Sequence, residues 1–143
     1  MVETTRYGRT PRIGEVYNIL FEGDGSRQNG WRPGVIFQNN VGNIYSPNVI
    51  ALPMTSSLKR LDLPVHVLVR SCDTGLRMDS VVLCENPETV PKCRIGAYIT
   101  TLSDEYMRKV TIAHLAALSS LSFLSEDDIE SAMAYAKNIN GVA

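Results

Sequence analysis

From residue 15 to residue 101 the chain is a succession of short apolar runs cut apart by turn-forming residues. That spacing limits its fold more than any other feature. The runs are 15–21 (EVYNILF), 34–38 (GVIFQ), 49–54 (VIALPM), 65–69 (VHVLV), 80–83 (SVVL) and 96–101 (GAYITT). All have strand length, and β-branched and aromatic residues recur in them. Between them, 22–31 (EGDGSRQNGW) reads as a loop and 39–47 (NNVGNIYSP) as a turn region built on Asn, Gly and Pro. The nearly all-apolar run 49–54 reads as a strand buried on both faces. Pro53 inside it marks a bulge or a strand end. Short strands at this spacing predict a small sandwich or barrel.

The pattern changes at Leu102. Ser103 is a candidate N-cap, with Asp104 and Glu105 in the first turn where the helix dipole favours acids. Tyr106, Val110, Ala113, Ala117 and Leu121 then recur at helical spacing, which predicts one main helix with an apolar face. Ser125, followed by Glu126, Asp127 and Asp128, reads as a second N-cap. Ile129, Ala132, Met133 and Ala136 predict a short second helix that stops at Asn140-Gly141. The expected class is mainly β (α+β), a compact barrel with helices at the C-terminal end.

Length and composition narrow the function. The 143 residues suit one domain able to bury a core without disulfides or metals. With 44% hydrophobic and 20% charged residues the chain is not of disordered type. A net charge of −1 argues against a protein that coats DNA by electrostatics alone. The total conceals a split: residues 1–109 carry 13 Lys+Arg against 11 Asp+Glu, whereas residues 110–143 set Lys137 against Glu126, Asp127, Asp128 and Glu130. Arg6, Arg9 and Arg12 have no apolar stretch behind them, so residues 1–12 do not read as a secretory signal. No run approaches a membrane span. Cys72, Cys84 and Cys93 are odd in number and lack Cys-x-x-Cys spacing, which predicts reduced thiols in a cytoplasmic protein and no metal site.

Several residues are candidates for chemistry. Arg32, held extended by Pro33, can present a rigid fork of donors to a phosphate, or is simply a solvated loop arginine. Thr55, Ser56 and Ser57 follow the buried run, where hydroxyls bond phosphate oxygens or cap a turn. His66 and His114 are the only histidines. They could form an acid–base pair, but each sits in a regular element and reads more simply as structural. Glu85 and Glu88 are a base, an interface charge or solvated surface.

Taken in order, these pieces resemble the MazF/PemK (Kid) toxin endoribonucleases. The blocks are 12–17 (RIGEVY), 25–33 (GSRQNGWRP, near the family's GSEQxGxRP), 38–47 (QNNVGNIYSP), 53–56 (PMTS), 63–67 (LPVHV), 79–85 (DSVVLCE) and 102–107 (LSDEYM). The resemblance covers about residues 12–124. It leaves an N-terminal arm (1–11) and a C-terminal helical extension (125–143) outside the toxin-like domain. It implies a small open β-barrel of the MazF/PemK/CcdB type (Src-homology-three-like) with a long helix near the C-terminus, assembled as a homodimer. It implies metal-independent, cofactor-free cleavage of single-stranded RNA by 2′-hydroxyl attack, leaving 2′,3′-cyclic phosphate and 5′-hydroxyl ends. It implies neutralisation by a cognate MazE-like antitoxin, DNA contact only through that antitoxin, and no membrane partner. Arg32 matches the family's catalytic arginine and Thr55 its catalytic threonine. RNA contacts are expected from Ser26, Arg27, Gln28, Asn39, Ser56, Glu85 and Asn86.

The chain departs from the family pattern at three places. Arg27 stands where the family has a glutamate. Residues 86–91 (NPETVP) replace a common Q-[IP]-R-T-[IV]-D, which puts Glu88 where a basic residue is usual. Residues 125–143 extend past the usual family end. A catalytically weakened binding protein that keeps the fold, or a CcdB-like poison of another target, is therefore the alternative expectation.

Overall fold

A computed structural model describes residues 4–23 and 29–140. Its strands are β1 (Glu15–Phe21), β2 (Gly30–Ile36), β3 (Asn48–Thr55), β4 (His66–Val69), β5 (Ser80–Leu83), β6 (Glu88–Pro91) and β7 (Ile95–Thr101). Its helices are α1 (Asn40–Tyr45), α2 (Asp104–Ala116) and α3 (Glu126–Asn140). The sheet runs β4-β5-β3-β2-β1-β7, every pairing antiparallel, with β6 also on β3. Among the described residues no ladder joins β4 to β7, so the barrel is open.

Period-two alternation places side chains on two faces of this sheet, and both faces carry a buried cluster. Val16, Val35, Leu52 and Met54 pack on one side with Val67, Val69, Val82, Val110 and Ala113. Tyr17, Ile19, Phe21, Ile36, Val49 and Ala51 pack on the other with Val90 and Ile95. Strands β1 and β3 are apolar at most positions because both of their faces are largely buried.

Strand β3 is the pivot. It pairs with β2 through Gly34↔Pro53, Val35↔Leu52 and Ile36↔Ala51. On its other edge it pairs first with β6 (Ala51↔Glu88) and then with β5 (Met54↔Val82). Pro53 therefore sits where β3 leaves β2 for β5, and its missing N–H falls at that change of partner.

Four expectations need correction. Residues 39–47 are not only turn: Asn39 caps α1 by accepting from Gly42 N at 2.9 Å, and the helix closes when Ser46 N donates to Gly42 O at 2.8 Å. Strand β2 begins at Gly30 rather than at residue 34, because pairing with β1 (Phe21↔Gly30, Ile19↔Arg32) overrides the loop-like composition. The main helix ends at Ala116, and Leu121 lies in a separate 3-10 turn, Ser120–Phe123. The last helix is not short: α3 has 15 residues against 13 in α2. A reciprocal cap starts it, with Asp128 N donating to Ser125 Oγ at 3.1 Å and Ser125 N to Asp128 Oδ2 at 2.9 Å. Ala132, Ala134 and Ala136 then favour its propagation. Strand β6 was not expected at all. The proposed stop at Gly141 lies outside the described residues.

The Ser103 cap is as expected, its hydroxyl accepting from Tyr106 N. Of the thiols, Cys72 and Cys93 are exposed and Cys84 is buried. Burial, with the Glu85 carboxylate nearby, pushes the Cys84 thiol up to about 12. The thiolate is the reacting species. Titration with a thiol reagent near neutral pH will therefore modify Cys72 and Cys93 in the folded protein and Cys84 only after denaturation. Three thiols reacting at one rate would contradict this burial.

Candidate active site

A cavity of about 560 Å³ opens where β2 and β3 part. Their ladder ends at Gly34↔Pro53. Running that register two residues further sets Arg32 opposite Thr55. Pro33 and Pro53 lack the N–H groups that would carry the ladder on, and β3 turns to β5 through Thr55↔Val81. The strands separate, and Arg32 and Thr55 line the gap together with Trp31, Ser56, Arg77 and Ser80.

Each group is held in place. Arg32 Nη2 donates to Asn29 O at 3.0 Å, tying the guanidinium to the end of the preceding loop. Thr55 Oγ1 accepts from Ser57 N at 3.1 Å, so the turn-capping role anticipated for these hydroxyls is real. It uses only an acceptor position, and the Thr55 hydroxyl keeps its own proton to donate. Ser80 Oγ donates to Met78 O at 3.1 Å and fixes the loop that carries Arg77. Two arginines and three hydroxyls around one cavity make a site for a phosphate and its negative charge.

The structure brings Arg32, Thr55 and Ser56 together and sets the other expected contacts apart. Ser26, Arg27 and Gln28 lie outside the described residues. Asn39 is the cap of α1 and does not line the cavity. Glu85 and Asn86 follow β5, where Asn86 N donates to Leu83 O at 3.2 Å. Glu85 faces His66, whose Nε2 lies 2.7 Å from Glu85 Oε2. The other carboxylate oxygen is buried, with no hydrogen bond among the described residues. Both ring nitrogens of His66 face acceptors, the second being Arg60 O at 3.0 Å. His114 Nδ1 lies 2.9 Å from Cys84 O, and its ring meets Phe37 edge-on. Both histidines are thus tied into the scaffold, and neither borders the cavity. Sequence reasoning missed Arg77. Its short loop before β5 carries no motif, and only folding brings it to the cavity that Arg32 lines.

Residues 12–118 match the family model of the PemK-like, MazF-like toxins of type II toxin–antitoxin systems. The chain belongs to this family. Endoribonuclease EndoA of Bacillus subtilis (strain 168) is 38% identical over 99 residues, which span 69% of this chain and 85% of that protein. Endoribonuclease MazF of Staphylococcus saprophyticus is 41% identical over 103 residues, 71% of this chain and 86% of that protein. Among solved structures, an endoribonuclease in complex with its cognate antitoxin from a mycobacterial species aligns with a TM-score of 0.60 at 26% identity, over 75% of this chain and 93% of that one. A MazF from Deinococcus radiodurans aligns at a TM-score of 0.65 and 20% identity, a likeness of fold. The toxin is thus an open barrel, mainly β, with helices near its C-terminus, and among its described residues no helix is long and apolar enough to cross a membrane.

Proposed function

We propose that this toxin is a metal-independent endoribonuclease that cuts single-stranded RNA in the cavity between β2 and β3. In this reading it acts as a cytoplasmic homodimer and is held inactive by a cognate MazE-like antitoxin. Family membership, the two curated endoribonucleases and the antitoxin complex of the mycobacterial relative support the activity and the partner. One observation carries the site: the β2–β3 register aims Arg32 and Thr55 at one gap.

The chemistry follows from charge. The ribose 2′-oxygen loses its proton and bonds to the adjacent phosphorus, while the bond from phosphorus to the 5′-oxygen breaks and that oxygen gains a proton. Negative charge accumulates on the non-bridging oxygens midway. Arg32 offers a planar fork of donors to those oxygens, and Thr55 adds a hydroxyl from the facing strand. Donors already fixed in place stabilise the transition state more than the ground state. Arginine is a poor base at neutral pH, so its part is electrostatic. Ser56 and the contacts expected at Ser26, Arg27, Gln28, Asn39, Glu85 and Asn86 would orient the strand and read its bases.

The deciding experiment incubates purified protein with a long RNA in EDTA and maps the ends. Discrete cuts with cyclic-phosphate termini are the expected result. Intact RNA at high protein concentration, with antitoxin still binding, would instead favour a binding protein that only keeps the fold. The structural roles of His66 and His114 give a companion prediction. Alanine at either one loses less than the roughly 10²–10⁴-fold that a proton-transferring side chain supplies. A larger loss in a folded variant would mean that the catalytic groups are misassigned.

A further inference from the structure

The arm ahead of the family-matched region reaches the mouth of the cavity. Its turn is tightly made: Thr5 N donates to Arg9 O at 2.9 Å, Gly8 N to Thr5 O at 3.0 Å and Arg9 N to Thr5 Oγ1 at 3.1 Å. Gly8, at φ +78°, supplies the left-handed residue that this turn requires. Thr5 is 4% exposed, and Arg6 N donates to Ile95 O at 3.0 Å on the open edge of β7. On the far side of the turn, Arg9 lies over the Tyr98 ring at 4.0 Å and pairs with Glu15 at 2.7 Å. Arg6 is therefore pinned on both sides although its own side chain is exposed.

That side chain sets its guanidinium carbon 5.5 Å from the centre of the Trp31 ring. Trp31 directly precedes Arg32, lines the cavity and is 46% exposed. The benzo edge of its ring meets Gly96, where an added Cβ would come within 3.1 Å of the indole and 2.9 Å of Asn18 O. An exposed aromatic ring is thus held at the proposed RNA cavity, with a cation over it. Single-stranded RNA is held by this combination: unpaired bases stack on aromatic rings, and arginines neutralise the backbone.

We propose that Arg6 and Trp31 form a subsite for a nucleotide flanking the cut. The base stacks on the exposed indole, and Arg6 neutralises the adjoining phosphate. This rests on the assignment of the cavity as the RNA site. The subsite adds affinity without touching the reacting atoms, so it acts on substrate binding and not on the chemical step.

The test uses a single-stranded oligonucleotide copied from a mapped cut site, with a 2′-deoxy nucleotide that removes the attacking hydroxyl. Trp31 is the only tryptophan in the chain, so its emission reports on this position alone. Saturable quenching as RNA is added is the expected result. By anisotropy, Trp31→Val raises Kd about tenfold, the scale of one lost base stack. Arg6→Ala reduces the slope of log affinity against log salt by about 0.7, the share of one phosphate on a single strand. Trp31→Phe and Arg6→Lys recover most of each loss, which a folding defect would not allow. Single-turnover cleavage at saturating protein stays within about twofold of wild type in both Arg6 variants. Unchanged emission on RNA binding, or unchanged Kd and salt slope in both loss variants while Arg32→Ala still slows cleavage, overturns the subsite alone. Full-rate cleavage by Arg32→Ala, or no cleavage by the wild type, overturns the cavity assignment and the subsite with it.

Discussion

Arg32→Ala slows RNA cleavage by about 10²–10³-fold and leaves the fold intact. The guanidinium is the cation that lines the cavity together with Thr55, so its loss removes the main stabiliser of the phosphorane charge. Removing one such preorganised donor costs about 10²–10³-fold in kcat, and a charged donor facing a dianionic transition state lies at the upper end of that range. Stability changes little, because the side chain is only half-buried and its Nη2 reaches a loop carbonyl, Asn29 O. Single-turnover cleavage with excess protein, alongside thermal unfolding, separates the two effects. Arg32→Lys restores only part of the rate, because an ammonium cannot reproduce the planar fork. A variant with unaltered Tm and near-normal turnover would move the catalytic centre elsewhere.

The second large effect is on stability. Leu52→Ala in β3 lowers it by about 2–5 kcal/mol, the range for emptying a buried leucine site. Leu52 is wholly buried and belongs to the cluster shared by the sheet and α2. Around it β3 ties three strands together, so the neighbours cannot collapse into the gap without moving β2 or β5. Domains are stable by only about 5–15 kcal/mol, so this is a large fraction of the total. Denaturant unfolding checks it: the midpoint falls while the slope is kept. Cleavage falls at temperatures where the wild type is still folded, because Thr55 ends the same strand. An unchanged midpoint would mean that the site repacks and β3 is not the pivot described.

Much of this was legible in the residues, for identifiable reasons. Strands β1, β3, β4 and β5 show as apolar runs because each buries at least one face. The helix starts at Ser103 and Ser125 show because capping is local chemistry between residues three apart. Helix α1 was hidden, since six residues are too few to display a helical period and Asn-Gly composition reads as turn. Strand β6 was hidden for the same reason of length. The start of β2 was missed because Gly30, Arg32 and Pro33 carry loop signals, and only pairing with β1 makes them a strand. Leu121 was assigned to α2 because its spacing continues the apolar face, yet the chain breaks at Ala117 and resumes in a tighter turn.

The sequence by itself determined the ordered motif blocks and the strand spacing that predicts a small sandwich or barrel, and the family resemblance carried by those blocks singled out Arg32 and Thr55. The blocks and the strand spacing follow from side-chain type and from patterns over a few residues. Only the tertiary structure decided what meets what. Arg32 and Thr55 are 23 positions apart and come to line one cavity where the β2–β3 ladder ends. Arg77 arrives from a motif-free loop, and Arg6 arrives from an arm bound to the edge of β7. Asn39, Glu85 and Asn86, which sit in equally clear blocks, fall outside the cavity. Strand register and the point at which a ladder stops are set by pairing between distant segments, and no local pattern encodes them.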